Sequence, residues 1–105
     1  MDILEFQNPV FINASRQSPQ LTVRRGTKWD GKKGEVWIPI NGNEVRCANI
    51  IDTVVMRCCD IPAIALVDEH DPICRDYTGL VSTLKTVYRG FKEEEIVTLV
   101  YFTMM

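Results

Sequence analysis

The chain has 105 residues, 46% hydrophobic and 25% charged, with a formal net charge of -2. That is enough for one small domain with one core, so a single domain over residues 1–105 is expected, and the composition excludes a disordered chain. No apolar run is long enough to cross a bilayer, and the Met1-Asp-Ile-Leu-Glu start lacks a basic region followed by an apolar one, so no membrane is expected as a partner and a cytoplasmic location is.

In chain order, Ile3–Phe6 reads as a short strand and Pro9–Ile12 as a helical turn. Asn13 to Pro19 is a polar loop. Leu21-Thr22-Val23-Arg24 alternates as a half-buried strand does. Gly26 to Gly34 is a loop rich in Gly and Lys. Glu35 to Ile40 is β-rich, and Pro39 marks it as an edge strand or a strand end. Asn41-Gly42-Asn43 turns the chain, and Glu44 to Ala48 returns as the second arm of a hairpin. Ile50 to Ile61 is a β-branched run suited to a central strand. Ile64–Val67 is a short apolar patch, and Asp68 to Gly79 is irregular. Leu80, Leu84 and Val87 lie at i, i+4 and i+7, which predicts a helix over Leu80–Tyr88 stopped by Arg89-Gly90. Glu93–Glu95 is a turn, and Ile96 to Phe102 the last strand. Five or six strands with one to three short helices predict an α+β fold with a mostly antiparallel, barrel-like sheet.

Cys47, Cys58, Cys59 and Cys74 form no CxxC pair, and His70 is the only histidine. This spacing suits no zinc site, so reduced thiols, no metal and no cofactor are expected. His70 lies among acids, and a nucleophilic pair with Cys74 is weighed against a polar loop residue, which is the expectation.

The positive charge is unevenly placed. Arg16, Arg24, Arg25, Lys28, Lys32 and Lys33 are half of the chain's 12 basic residues. Such clustering creates a local positive potential even on an acidic protein. Trp29 sits among them, where an aromatic ring can stack on a base or fold back onto the core. Thr22 and Arg24 share one face of their strand, which suits recognition of a carbonyl or a phosphate.

Together these stretches resemble the ASCH family, a branch of the PUA-like folds. The family's Lys-Thr-Val-Thr-Ile-Arg type of strand is matched by Pro19-Gln20-Leu21-Thr22-Val23-Arg24, and its next strand, of the Gly-Glu-Val type, by Lys33-Gly34-Glu35-Val36-Trp37. Ala65 to His70, then Asp76, then Leu84 to Tyr88, and the closing run Ile96 to Phe102 keep the family's order. The resemblance implies a PUA-like β pseudo-barrel whose cleft binds RNA, single-stranded, or a modified nucleotide. The nucleic-acid-binding candidates are Arg24, Arg25, Lys28, Trp29, Lys32, Lys33 and Tyr88. Some relatives are amidohydrolases of N4-acetylcytidine that use a Lys, a Thr and an acid. Here the Thr falls on Thr22 and the acid on Asp76, whereas the Lys position holds Pro19. Binding is therefore the leading expectation. A hydrolase working through Thr22 and Asp76, and a protein-interaction module with an acidic partner, are its rivals.

Overall fold

The computed structural model describes all residues, 1–105. Its frame is one antiparallel sheet of four strands: β1 (Gln20–Arg25), β2 (Gly34–Pro39), β3 (Val45–Arg57) and β4 (Ile96–Met104), in the order β1-β4-β3-β2. One α-helix, α1 (Tyr77–Val87), and four short 3-10 turns complete the α+β domain. No helix is long and apolar enough to cross a membrane.

The last strand lies in the middle. Val97, Leu99, Val100 and Phe102 of β4 are all buried, and they feed two cores on opposite faces of the sheet. On one face Val97 and Leu99 join Leu21, Val23 and the α1 residues Leu80, Val81 and Leu84. On the other, Val100 and Phe102 join Leu4, Trp29, Val36, Ile38, Ala48 and Ile50. This is the period of two expected for strands buried on both sides.

The four strands correct the expected five or six. Glu44–Ala48 and Ile50–Ile61 were expected as separate strands, but both lie mainly in β3. The apparent break in their pattern is a bulge between Ile50 and Asp52, which leaves Ile51 unpaired and re-phases the side chains. Beyond Arg57 the chain leaves the sheet for a 3-10 turn at Cys58–Asp60. Residues Ile3–Phe6 do not form a full strand. They make one parallel bridge, from Ile3 to Trp37 on the edge strand β2. Leu4 N–H donates to Trp37 C=O at 2.8 Å, and Trp37 N–H to Asp2 C=O at 2.9 Å. The opposite edge, β1, carries a matching short bridge from Leu21 to Glu69. Short pieces of chain thus cover part of each edge, a common defence against edge pairing.

Helix α1 begins at Asp76, whose carboxylate accepts from Gly79 N–H at 2.7 Å. It ends at Val87, where Tyr88 turns to an extended conformation while its N–H donates to Leu84 C=O at 2.8 Å.

Candidate functional site

A cavity of about 660 Å³ opens between β1, α1 and the N-terminal segment. Its volume lies in the range of small-molecule sites. The alternation of β1 supplies its floor. Gln20, Thr22 and Arg24 fall on the face of Phe102, Val100 and Thr98, their partners on β4. Arg24 Nε donates to Thr22 Oγ1 at 3.0 Å, and its guanidinium stacks 4.6 Å from the centre of the Phe6 ring. Burial pulls the Arg24 guanidinium below its ordinary value, against the opposing fields of Tyr88, Glu69 and Glu5. Arginine nonetheless stays charged throughout the working range of a protein.

The wall beside β1 is acidic. Glu69 is 2% exposed. Its Oε1 accepts from Asp71 N–H at 3.2 Å and lies 2.5 Å from His70 Nδ1. His70 Nδ1 also faces Leu21 C=O at 3.1 Å. Both neighbours are acceptors, so Nδ1 carries the proton, and a neutral ring then presents Nε2 as an acceptor. Every partner of the Glu69 carboxylate within the chain is on Oε1, and Oε2 has none. Phe6 also lines the cavity, edge-to-face on His70 at 4.7 Å and 5.5 Å from Phe102.

Of the residues expected to form the site, Thr22, Arg24 and Tyr88 line this cavity. Asp76 does not. It is exposed, and its carboxylate is engaged as the cap of α1; the carboxylates that line the cavity are those of Glu5, Glu69 and Asp71. Sequence reasoning passed over Glu69, although it lies in the Leu66-Val67-Asp68-Glu69-His70 run that carried part of the resemblance. Phe6 was missed as well. Its signal was the alternation of Leu4 and Phe6.

The basic stretch lies elsewhere. None of Arg25, Lys28, Trp29, Lys32 and Lys33 lines the cavity. Trp29 is 5% exposed and packs in the core under the sheet, so its ring has no open face for a base. Lys28 and Lys32 lie over that ring, at 5.7 and 5.1 Å. The other charges are answered locally. Arg16 pairs with Asp68, Lys32 with Asp2 at 3.1 Å and Lys33 with Asp52 at 4.0 Å. Arg25 holds Glu95 by two bonds, 2.6 and 3.1 Å long. The cleft expected to be basic instead carries three carboxylates, of Glu5, Glu69 and Asp71, against one guanidinium and one imidazole.

Cys74 also lines the cavity, but burial pushes its thiol up from the ordinary 9.0 to about 11, only partly opposed by a hydrogen bond with Thr83. It is therefore a poor nucleophile at neutral pH, which removes the basis for a Cys74–His70 pair. No three His, Cys, Asp or Glu side chains cluster as metal ligands would. Compared with protein-family profiles, curated proteins and solved structures, the chain matches none.

Proposed function

We propose that this protein is an ASCH-like domain of the PUA-like pseudo-barrel class that binds the base of a nucleoside, free or presented by single-stranded RNA, in the cavity floored by Thr22 and Arg24. The barrel reading is supported by the two edge bridges. Residues 2–4 extend the sheet beyond β2, Glu69 and His70 extend it beyond β1, and Phe6 meets His70 where the two ends approach. The observation that carries the functional reading is the Thr22–Arg24 pair, which lines a concave site together with the buried carboxylate of Glu69 on the neighbouring segment. A cation and a carboxylate in one cavity offer a donor and an acceptor to a neutral polar ring. Three carboxylates there repel a phosphate, so a sugar–phosphate chain would lie outside.

Calorimetric titration with cytidine, uridine, adenosine and a short single-stranded RNA, over a salt series, tests this. Nucleosides are expected to bind with little salt dependence. Arg24→Ala should weaken them about tenfold or more, the loss expected for a charged hydrogen bond. Replacing Lys28, Lys32 and Lys33 together with Ala should leave binding unchanged. The reading fails if only the RNA binds, with a slope near -0.7 per phosphate that the triple replacement flattens.

One observation favours a second reading, hydrolysis of an acylated nucleoside. Glu69 and Thr22 line the same cavity, where a carboxylate can take a proton from an attacking water. It ranks below binding because no lysine lines the cavity, and Pro19 is exposed with its C=O held by Arg16 at 2.8 Å. Turnover of N4-acetylcytidine that is lost in both Thr22→Ala and Glu69→Gln would reverse the ranking.

A further inference from the structure

Strand β1 has one backbone position inside the cavity with nothing to bond. Gly26 N–H donates to Ile96 C=O at 2.8 Å, and in an antiparallel pair the bonded positions recur every second residue. Arg24, Thr22 and Gln20 therefore exchange their backbone bonds with Thr98, Val100 and Phe102. The polar groups of Leu21, Val23 and Arg25 turn to the open edge instead. There His70 N–H takes Leu21 C=O at 2.9 Å. A parallel partner that continued would next meet Val23. It does not continue: the next donor of a parallel ladder would be the N–H of residue 72, and Pro72 has none. Val23 lines the cavity and Arg25 does not. The open edge within the cavity is thus one residue long.

We infer that the N–H and C=O of Val23 form a two-point reader for a planar ring whose edge carries a hydrogen-bond acceptor beside a donor. An extended residue holds these two groups side by side, pointing the same way. A partner strand answers them with its own N–H and C=O from one residue. A lactam or amidine edge gives the same answer: N3–H and O4 of uracil, or N3 and the exocyclic N4–H of cytosine. The groups engaged are then those of the base-pairing edge. An added peptide strand needs several consecutive open positions to bond, so the single one here selects a small ring. The inference rests on the base-binding reading above, and it names how the base is oriented: edge-on to β1, with Arg24 and Glu69 left for its substituents.

The test uses the ¹⁵N-labelled full chain and four probes: 2-pyridone, N-methyl-2-pyridone, uridine and 3-methyluridine. In the free protein the Val23 amide should exchange with solvent faster than those of Thr22 and Arg24, which are already bonded to β4. With 2-pyridone or uridine the Val23 amide proton should move downfield and its exchange should slow severalfold, while Thr22 and Arg24 keep their rates. The N-methylated probes, which lack the ring donor, should do neither. If uridine binds in the cavity but leaves Val23 exchange untouched, this docking is wrong and the base-binding reading stands. If 2-pyridone engages Val23 while no nucleoside binds, the docking stands and that reading falls. An equal response to the methylated probes, or no response at Val23 to any probe, overturns the docking.

Discussion

Gly79 sits in the first turn of α1 against the 3-10 turn Pro72–Arg75. A Cβ built on it would lie 1.8 Å from the carbonyl oxygen of Ile73 and 2.9 Å from its carbonyl carbon. Both are backbone atoms, so no side-chain rotation relieves the contact. To reach an ordinary separation of about 3.4 Å, the two segments must part by about 1.6 Å. Gly79→Ala is therefore a competition between two effects. In most helices the change stabilises by up to about 1 kcal/mol, because alanine restricts the unfolded chain. Here the forced separation is of the kind that costs about 1–3 kcal/mol in packed interiors, and the size of the overlap places it at the upper end. The loss wins, by about 2 kcal/mol net.

For a domain of this size that lowers Tm by about 10 °C. Scanning calorimetry measures it, with Thr78→Ala, an exposed neighbour in the same turn, as the control that should be neutral or slightly stabilising. The effect reaches the site, because Ile73 and Cys74 line the cavity and would move with the turn. Uridine affinity of the folded variant should therefore fall as well. An unchanged or raised Tm for Gly79→Ala would refute the close approach of α1 to Ile73, and with it the placement of that cavity wall.

Burial sets two further outcomes. Trp29→Ala should destabilise by about 3–5 kcal/mol, as removal of a large core side chain does, without changing nucleoside affinity at temperatures where the variant is folded; a stable variant that has lost binding would put the ring back in a ligand site. Burial raises both Cys58 and Cys74 from 9.0 to about 11, so the folded state keeps protons that the unfolded state releases. The stability they contribute is complete below about pH 9 and is lost as pH rises towards about 11, by up to about 3 kcal/mol per thiol. Urea midpoints at pH 8 and 10.5 should differ more for the native chain than for the Cys58→Ala/Cys74→Ala variant.

Elements fixed by local pattern were legible in the sequence. The strand at Leu21 to Arg24, the Asn41-Gly42-Asn43 turn, the i, i+4 spacing of Leu80 and Leu84 and the edge position implied by Pro39 all appear in the structure, but the strand is buried on both faces, with Gln20 and Thr22 as shielded as Leu21 and Val23, and not half-buried as its alternation suggests. The long strand β3 was read as two because a bulge at Ile51 looks, in one dimension, like a break. Within the site, Thr22 and Arg24 were legible because strand alternation placed them together. Glu69 was not, because its burial depends on a bridge to Leu21, far away in sequence. A polar run around a proline gives no local sign that one of its acids is shielded from solvent. Asp76 was chosen instead, yet an acid three residues before a helical glycine is also a helix cap, and that local role is the one it takes.

The basic stretch is the cluster that its charge pattern indicates, but none of Arg25, Lys28, Lys32 and Lys33 lines the cavity. Its partners are remote: Asp2 lies 30 residues from Lys32, and Glu95 lies 70 from Arg25. Exposed pairs of this kind are each worth about 0–1 kcal/mol, far less than the several kcal/mol of a buried tryptophan, so it is Trp29 that fixes the loop to the sheet. Around it the bonds from Gly31 N–H to Thr53 Oγ1 (2.9 Å) and from Thr98 Oγ1 to Gly26 C=O (2.7 Å) tie the loop to β3 and β4. The paired cations then join that plug to the N-terminus, to β3 and to the turn before β4. The clustered charge serves a closure of the domain, away from the cavity. The proposed recognition rests on groups that total composition hides: one guanidinium turned inward, one shielded carboxylate, and a strand edge left open for a single residue.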